Sequence, residues 1–149
     1  KELDLNNFKY IFHSGAIDEY FDYKFGELPY RSLRFDIFSL NREYYQNSPV
    51  TNYPNDYDFT RITEHKYFLD EKSDKTTISI EYPELFEIGK NERYYPISNY
   101  KNNSIYNKYL EESKNIEKLH FFGRLGDYKY YNMDLAVEKV FYVFKGKIV

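Results

Sequence analysis

Residues Phe121–Met133 read FFGRLGDYKYYNM. An apolar run, a Gly-Arg break, a tyrosine cluster and then Asn132 opening an amphipathic segment describe a strand that ends at Gly123-Arg124 and turns towards a helix. Such a turn suits an anion, because backbone N–H groups and a guanidinium converge on it. The segments upstream then read as a sheet that faces this turn.

Downstream, Asn132 is the expected cap of a last helix whose apolar face is Met133, Ala136, Val137, Val140, Phe141 and Phe144. Upstream, Leu119–Phe122 reads as a short buried strand. The helix before it, capped by Asn102 or Asn103, carries Tyr106, Tyr109, Leu110 and Ser113 along one side. Farther back the two-residue period takes over. Tyr30–Phe38 puts Leu33, Phe35 and Ile37 on one face with Arg31 in phase, and Ser32, Arg34 and Asp36 opposite. Thr60–Phe68 aligns Arg61, Thr63, His65 and Tyr67. Thr76–Tyr82 separates Ile78, Ile80 and Tyr82 from Thr77, Ser79 and Glu81, with Pro83 as its stop. If these two strands pair, Arg61 and Glu81 share one face. Phe8–His13 is a further strand, Val50–Tyr53 a short one, Tyr94-Tyr95-Pro96 an extended piece, and Ile17, Tyr20, Phe21 and Lys24 recur at helical spacing up to Gly26. The fold expected is α+β: a largely antiparallel β-sheet with a short N-terminal helix and a C-terminal helix–strand–helix.

Composition excludes several classes. The net charge is −3 with no basic block, which argues against nucleic acid. There is no cysteine, so thiolate chemistry and disulfides are out. Three scattered histidines, His13, His65 and His120, do not make a metal site. No apolar run approaches the roughly 18 residues of a membrane span, so no membrane partner is expected and the cytoplasm is the default compartment. The 19 tyrosines suit half-buried surfaces and sugar or nucleotide sites, with background composition as the competing explanation. Lys1 in place of a methionine, running straight into strand-like sequence, reads as a piece of something longer.

Four blocks, IDEYFDYKFGELPYRSLRF, FTRITEHKYF, IEYPELFEIGKNERYYPI and GRLGDYKYYNMD, resemble UDP-galactopyranose mutase in this order. The resemblance runs from about Tyr10 to Val140 and covers only the C-terminal part of that flavoenzyme family, since the opening GxGxxG is absent. It implies a reduced FAD that carries the covalent chemistry, UDP-galactose as substrate, and exchange of its pyranose and furanose rings. It implies residues 1–100 as an antiparallel-sheet substrate domain, and residues 101–149 as a helix–strand–helix segment returning to the flavin domain of the full-length protein. A homodimer counts among the expected assemblies.

By resemblance, Arg61 contacts the diphosphate and Glu81 lies near the sugar, both with catalytic roles. Tyr95, Tyr130, Asn132 and Asn52 bind substrate alongside Arg61. Arg124 and Gly123, with Arg31, lie on the cofactor side. Each has an ordinary alternative: an exposed strand arginine, aromatic packing, a turn asparagine. Asn132 stands where the family has aspartate, which keeps a helix-capping residue but drops a charge. The chain alone is expected to be inactive and colourless, and the last helix to present an exposed apolar face around Phe141 and Phe144. The competing reading is a nucleotide-sugar-binding module without chemistry.

Overall fold

The computed structural model describes residues 4–145. After a short turn of 3-10 helix, Leu5–Asn7, come strand β1 (Ile11–His13), helix α1 (Ile17–Tyr20), β2 (Tyr30–Leu40) and β3 (Val50–Asn52). Next are β4 (Arg61–Glu64), α2 (Lys66–Leu69), β5 (Thr76–Leu85) and β6 (Tyr95–Pro96). The chain closes with α3 (Tyr100–Ser113), β7 (Leu119–Phe121), α4 (Gly123–Gly126) and α5 (Met133–Phe144). It divides into two units: Arg31–Glu92 is one, while Lys1–Tyr30 and Arg93–Val149 together form the other. The largely antiparallel α+β fold is as the alternation pattern implies.

In the Arg31–Glu92 unit the strands run β3-β4-β5-β2, every neighbour antiparallel. The β2–β5 ladder pairs Arg31 with Leu85 at one end and Leu40 with Thr76 at the other. One face buries Ile62 and Ile78, and Glu64 on the same face is 0% exposed. That carboxylate accepts the Tyr45 N–H and the Gln46 N–H, both at 2.9 Å, and the Thr76 hydroxyl at 2.6 Å. It thereby fixes the loop between β2 and β3 to the sheet interior. The opposite face carries Arg61, Thr63, Ser79, Glu81, Phe35 and Ile37, the last two exposed.

Two boundaries in this unit differ from the sequence reading. The strand expected to continue to Phe68 ends at Glu64, and the chain turns into α2. Lys66 is buried there and its ammonium donates to the Glu43 and Ser73 carbonyls at 2.7 and 2.6 Å. Asp70, in left-handed conformation at φ 46°, closes the turn. Pro83 does not stop β5, which runs on to Leu85. Thr60 N–H donates to the Glu81 carbonyl, so the peptide groups of Glu81, and two residues on those of Pro83, face the β4 side. The β4 ladder has ended at Arg61 opposite Glu81, so the missing proline N–H falls on an open edge.

In the other unit β1 pairs with β7 in parallel, Ile11–His13 against Leu119–Phe121, which is shorter than the strand expected from Phe8. Helix α1 is a single turn, ended where Asp22 and Tyr23 take φ of 49° and 55°. The core gathers Ala16, Ile17, Leu28, Tyr30, Tyr109, Leu119 and Tyr128. Its tyrosines are buried by ring and satisfied by tip. Tyr109 Oη donates to the Gly26 carbonyl and accepts the Phe25 N–H, at 2.8 and 2.9 Å. Tyr128 Oη lies 2.8 Å from the Pro29 carbonyl and 2.9 Å from that of Ile97. Beside them, β6 leads into Ile97, whose N–H donates to Pro29 C=O.

Helix α3 is capped by Asn99, not by Asn102 or Asn103: Asn99 Oδ1 accepts the Asn102 N–H at 2.9 Å. Asn102 is one turn inside, buried, and donates to the Ile97 carbonyl. Asn132 does hold the N-cap position of α5, but its side chain makes no capping bond. The expected apolar face of α5 is largely uncovered, with Met133 82% and Phe141 73% exposed. Phe144 departs from that expectation. Its ring stacks on Phe12 with centroids 4.0 Å apart.

Candidate functional site

The sheet brings three of the sequence-derived residues into one row. Asn52 on β3 stands directly opposite Arg61 on β4, which stands directly opposite Glu81 on β5. Directly opposed residues on one face have side chains within reach of each other, and here they meet. Arg61 Nε donates to Asn52 Oδ1 at 3.0 Å, and Arg61 Nη1 lies 3.5 Å from Glu81 Oε2. Glu81 is the more sheltered partner, its side chain 15% exposed against 43% for Arg61. The Nη2 amino group has no partner among the described residues, so the guanidinium keeps donors for an incoming anion. Asn52 thus spends its carbonyl oxygen on Arg61. Arg31 is not brought to this row. It pairs with Leu85, four residues along β2 from Phe35, a separation of about 13 Å at the usual strand rise.

The second cluster lies in the other unit. Gly123 has φ +83°, a conformation that L side chains rarely adopt, which is why a glycine opens α4. Arg124 follows. Its Nε donates to the Tyr131 carbonyl at 2.7 Å, and its guanidinium sits 4.6 Å from the centroid of the Tyr130 ring. Tyr130 in turn lies 5.7 Å from Tyr95, ring centre to ring centre. Tyr95, Tyr130 and Arg124 therefore form one continuous arrangement of two phenols and a cation. Asn132 lies beyond them in a cleft of about 670 Å³, which Tyr130, Tyr131, Leu135 and Lys139 also line.

The electrostatics of this cleft are set by Asp127. It accepts the Tyr131 hydroxyl at 3.0 Å and lies 3.4 Å from the Lys139 ammonium. Burial, with Asp127 beside it, pushes the Tyr131 phenol up to about 12, so it stays a donor. Tyr128 and Tyr131 are both buried. His65 has Nε2 3.1 Å from Ser79 Oγ.

One residue at the sheet cluster was missed. Thr60 Oγ1 donates to Glu81 Oε1 at 3.0 Å. Nothing in the period of the sequence marks it, because it precedes β4 and its partner is 21 positions away.

Comparison with known proteins follows the same lines. Residues 1–130 match the family model described as UDP-galactopyranose mutase. The dTDP-fucopyranose mutase of Escherichia coli is 39% identical over 133 residues, 87% of this chain and 35% of that protein. The UDP-galactopyranose mutase of Mycoplasma genitalium is 38% identical over 134 residues, 87% of this chain and 33% of the relative. That of Mycoplasma pneumoniae is 37% identical over 134 residues, 87% and 34% of the two chains. The chain thus spans about a third of the length of the curated relatives it matches.

Proposed function

This chain belongs to the UDP-galactopyranose mutase family, a family of isomerases, and we propose that it forms the C-terminal, substrate-side part of a mutase that exchanges the pyranose and furanose rings of UDP-galactose. The observation that carries this reading is Arg61, a guanidinium held on a sheet between Asn52 and Glu81 with donors to spare. Such a group suits a leaving diphosphate, whose charge grows as the bond to the sugar breaks. In the other unit the Tyr95 and Tyr130 hydroxyls are neutral donors suited to substrate, and Asn132 lines the cleft beside Tyr130 with no charge of its own. Glu81 acts next to the sugar end through Arg61.

The residues present fit one edge of a flavin. Arg124 offers the guanidinium nitrogens not used on Tyr131, and Gly123, which has no side chain of its own, presents only backbone next to Ser14. These two would hold FAD, with Arg31 a third candidate. When bound and reduced, FAD supplies the covalent chemistry at the anomeric carbon. The Gly-rich turn that takes a dinucleotide pyrophosphate is not in this sequence. The isolated chain is therefore expected to be colourless and silent.

In this reading residues 1–100 serve the substrate and residues 101–149 return to the flavin-binding part of a longer protein. The parallel β1–β7 pair supports it. Parallel strands belong in sheets covered on both faces, and among the described residues this pair has no third strand. The uncovered apolar face of α5 supports it too, since it suits burial against that part or against a second copy. No described helix is long and apolar enough to cross a membrane, and the cytoplasm, where nucleotide sugars are made, is the proposed location.

The test uses the full-length protein with reduced flavin. UDP-galactose should yield its furanose isomer, and Arg61→Ala should lower kcat by about 10²–10³. No furanose product would overturn the activity. A parallel arm with dTDP-fucose is warranted, because the relative named for that substrate matches this chain as well as those named for UDP-galactose. Titration of the isolated chain with UDP separates the second reading: clear binding without FAD favours a binding module.

A further inference from the structure

Thr60 is pinned by its backbone on both sides. Its N–H donates to the Glu81 carbonyl at 2.8 Å and its C=O accepts the Tyr53 N–H at 2.9 Å. The side chain is therefore placed independently of its own contacts. Its hydroxyl sits 3.0 Å from Glu81 Oε1 and 3.3 Å from the Glu81 carbonyl. A carboxylate has two oxygens and a soft terminal torsion. With Oε1 tethered by Thr60, Oε2 is the oxygen left to face Arg61 Nη1, at 3.5 Å.

A guanidinium is planar, so contacts on two of its nitrogens fix its orientation. Asn52 holds Nε from the β3 side and Glu81 faces Nη1 from the β5 side. The order of the row is then Thr60, Glu81, Arg61, Asn52, with the sheltered carboxylate between Thr60 and Arg61. If the Thr60 tether is lost, Glu81 can rotate and take Arg61 bidentately, the geometry that guanidinium and carboxylate favour. That pairing would consume the donors meant for an anion.

We propose that Thr60 is a positioning residue: its hydroxyl fixes the Glu81 carboxylate so that Arg61 keeps its outer N–H groups for the diphosphate of a nucleotide sugar. The proposal rests on the reading of Arg61 given above. Thr60 touches no substrate and acts through Glu81.

The experiment is titration calorimetry of the full-length protein with UDP, a readout that needs no turnover. Thr60→Val removes the hydroxyl at nearly constant shape and should weaken UDP binding about three- to tenfold, the scale of one ordinary hydrogen bond's net contribution. Thr60→Ser should restore affinity to within about twofold. In an Arg61→Ala background Thr60→Val should change nothing further, because residues acting through one another are not additive. Should Thr60→Val fail to fold, Thr60→Ala tests the same link, and in a Glu81→Ala background either change at Thr60 should have no further effect. Thr60→Val binding UDP like the parent overturns the proposal. So does an equal loss with and without Arg61, a serine that does not rescue, or an undiminished loss in the Glu81→Ala background. Unchanged UDP binding by Arg61→Ala itself would remove both this proposal and the diphosphate reading, whereas a silent Thr60→Val beside a damaging Arg61→Ala removes this one alone.

Discussion

Glu64 and Asp18 are carboxylates with almost no solvent exposure, 0% and 1%, one in each unit of the chain. Glu64 accepts three hydrogen bonds, all from within the Arg31–Glu92 segment. Asp18 accepts the Leu28 N–H at 2.9 Å through Oδ2, while its Oδ1 has no hydrogen-bond partner among the described residues. The sheet unit is not satisfied throughout, since Ser32 Oγ and Gln46 Oε1 are buried without a partner among the described residues, but the two units also differ in how they are built. The Arg31–Glu92 unit is one continuous stretch whose antiparallel ladders pair its own strands. The other is assembled from two distant segments, has a two-stranded parallel sheet and leaves the apolar side of α5 uncovered. A continuous antiparallel unit can satisfy its polar groups locally. One built around parallel strands depends on partners far along the chain.

The largest test of that contrast is Glu64→Ala. It strands two backbone N–H groups and a hydroxyl inside the sheet unit, at a cost of about 3–5 kcal/mol. Denaturant unfolding, with hydrogen exchange of the β4 and β5 amides, measures it. A loss under about 1 kcal/mol would break the comparison.

Next comes acid. Burial by itself would push the Glu64 carboxyl up, but the bonds from Thr76, Tyr45 and Gln46 and the Lys66 charge outweigh it and hold the carboxyl below its ordinary value of 4.5. Its stabilisation is complete above that ordinary value and is lost as pH falls through the lowered one. Burial pushes Asp18 above its ordinary 3.8, with the Leu28 N–H and Arg93 opposing. Its contribution has the opposite sign: complete below 3.8 and lost as pH rises through the raised value. Asp18→Asn should therefore flatten the pH dependence of exchange at the Leu28 amide and leave the β4 amides unchanged. An unaltered profile at Leu28 would show that Asp18 is not its source.

The smallest effect compares two helix starts. Asn99→Ala removes a real capping bond and should cost about 1 kcal/mol. Asn132→Ala, at an N-cap position whose side chain makes no bond, should cost a few tenths of that by thermal denaturation. Equal costs would mean that position alone matters.

The alternation in Tyr30–Phe38, Thr60–Phe68 and Thr76–Tyr82 made β2, the start of β4 and β5 legible, and the last two gave the shared face of Arg61 and Glu81. What misled was a pairing, or the end of one, that the local pattern does not show. The strand after Arg61 ends early where buried Lys66 finds the Glu43 and Ser73 carbonyls. Pro83 is tolerated inside β5 because β4 has already ended. Asn99 outcompetes Asn102 because Asn102 is committed to Ile97. Of the candidate residues, Arg61 in the sheet unit and Tyr95, Arg124 and Tyr130 in the other could be named from motifs, whereas Thr60 could not.

The sequence by itself determined the strand-forming segments, their two faces and the family, because side-chain period and motif order are local properties of the chain. Only the tertiary structure decided which residues flank Arg61, that Asn52 faces it as a partner, and that Glu64 rather than an apolar residue anchors the sheet interior. The physical reason is register. A period says which side a residue faces, but the neighbour it meets there depends on how distant strands are aligned, and that alignment is settled by pairing across the whole sheet.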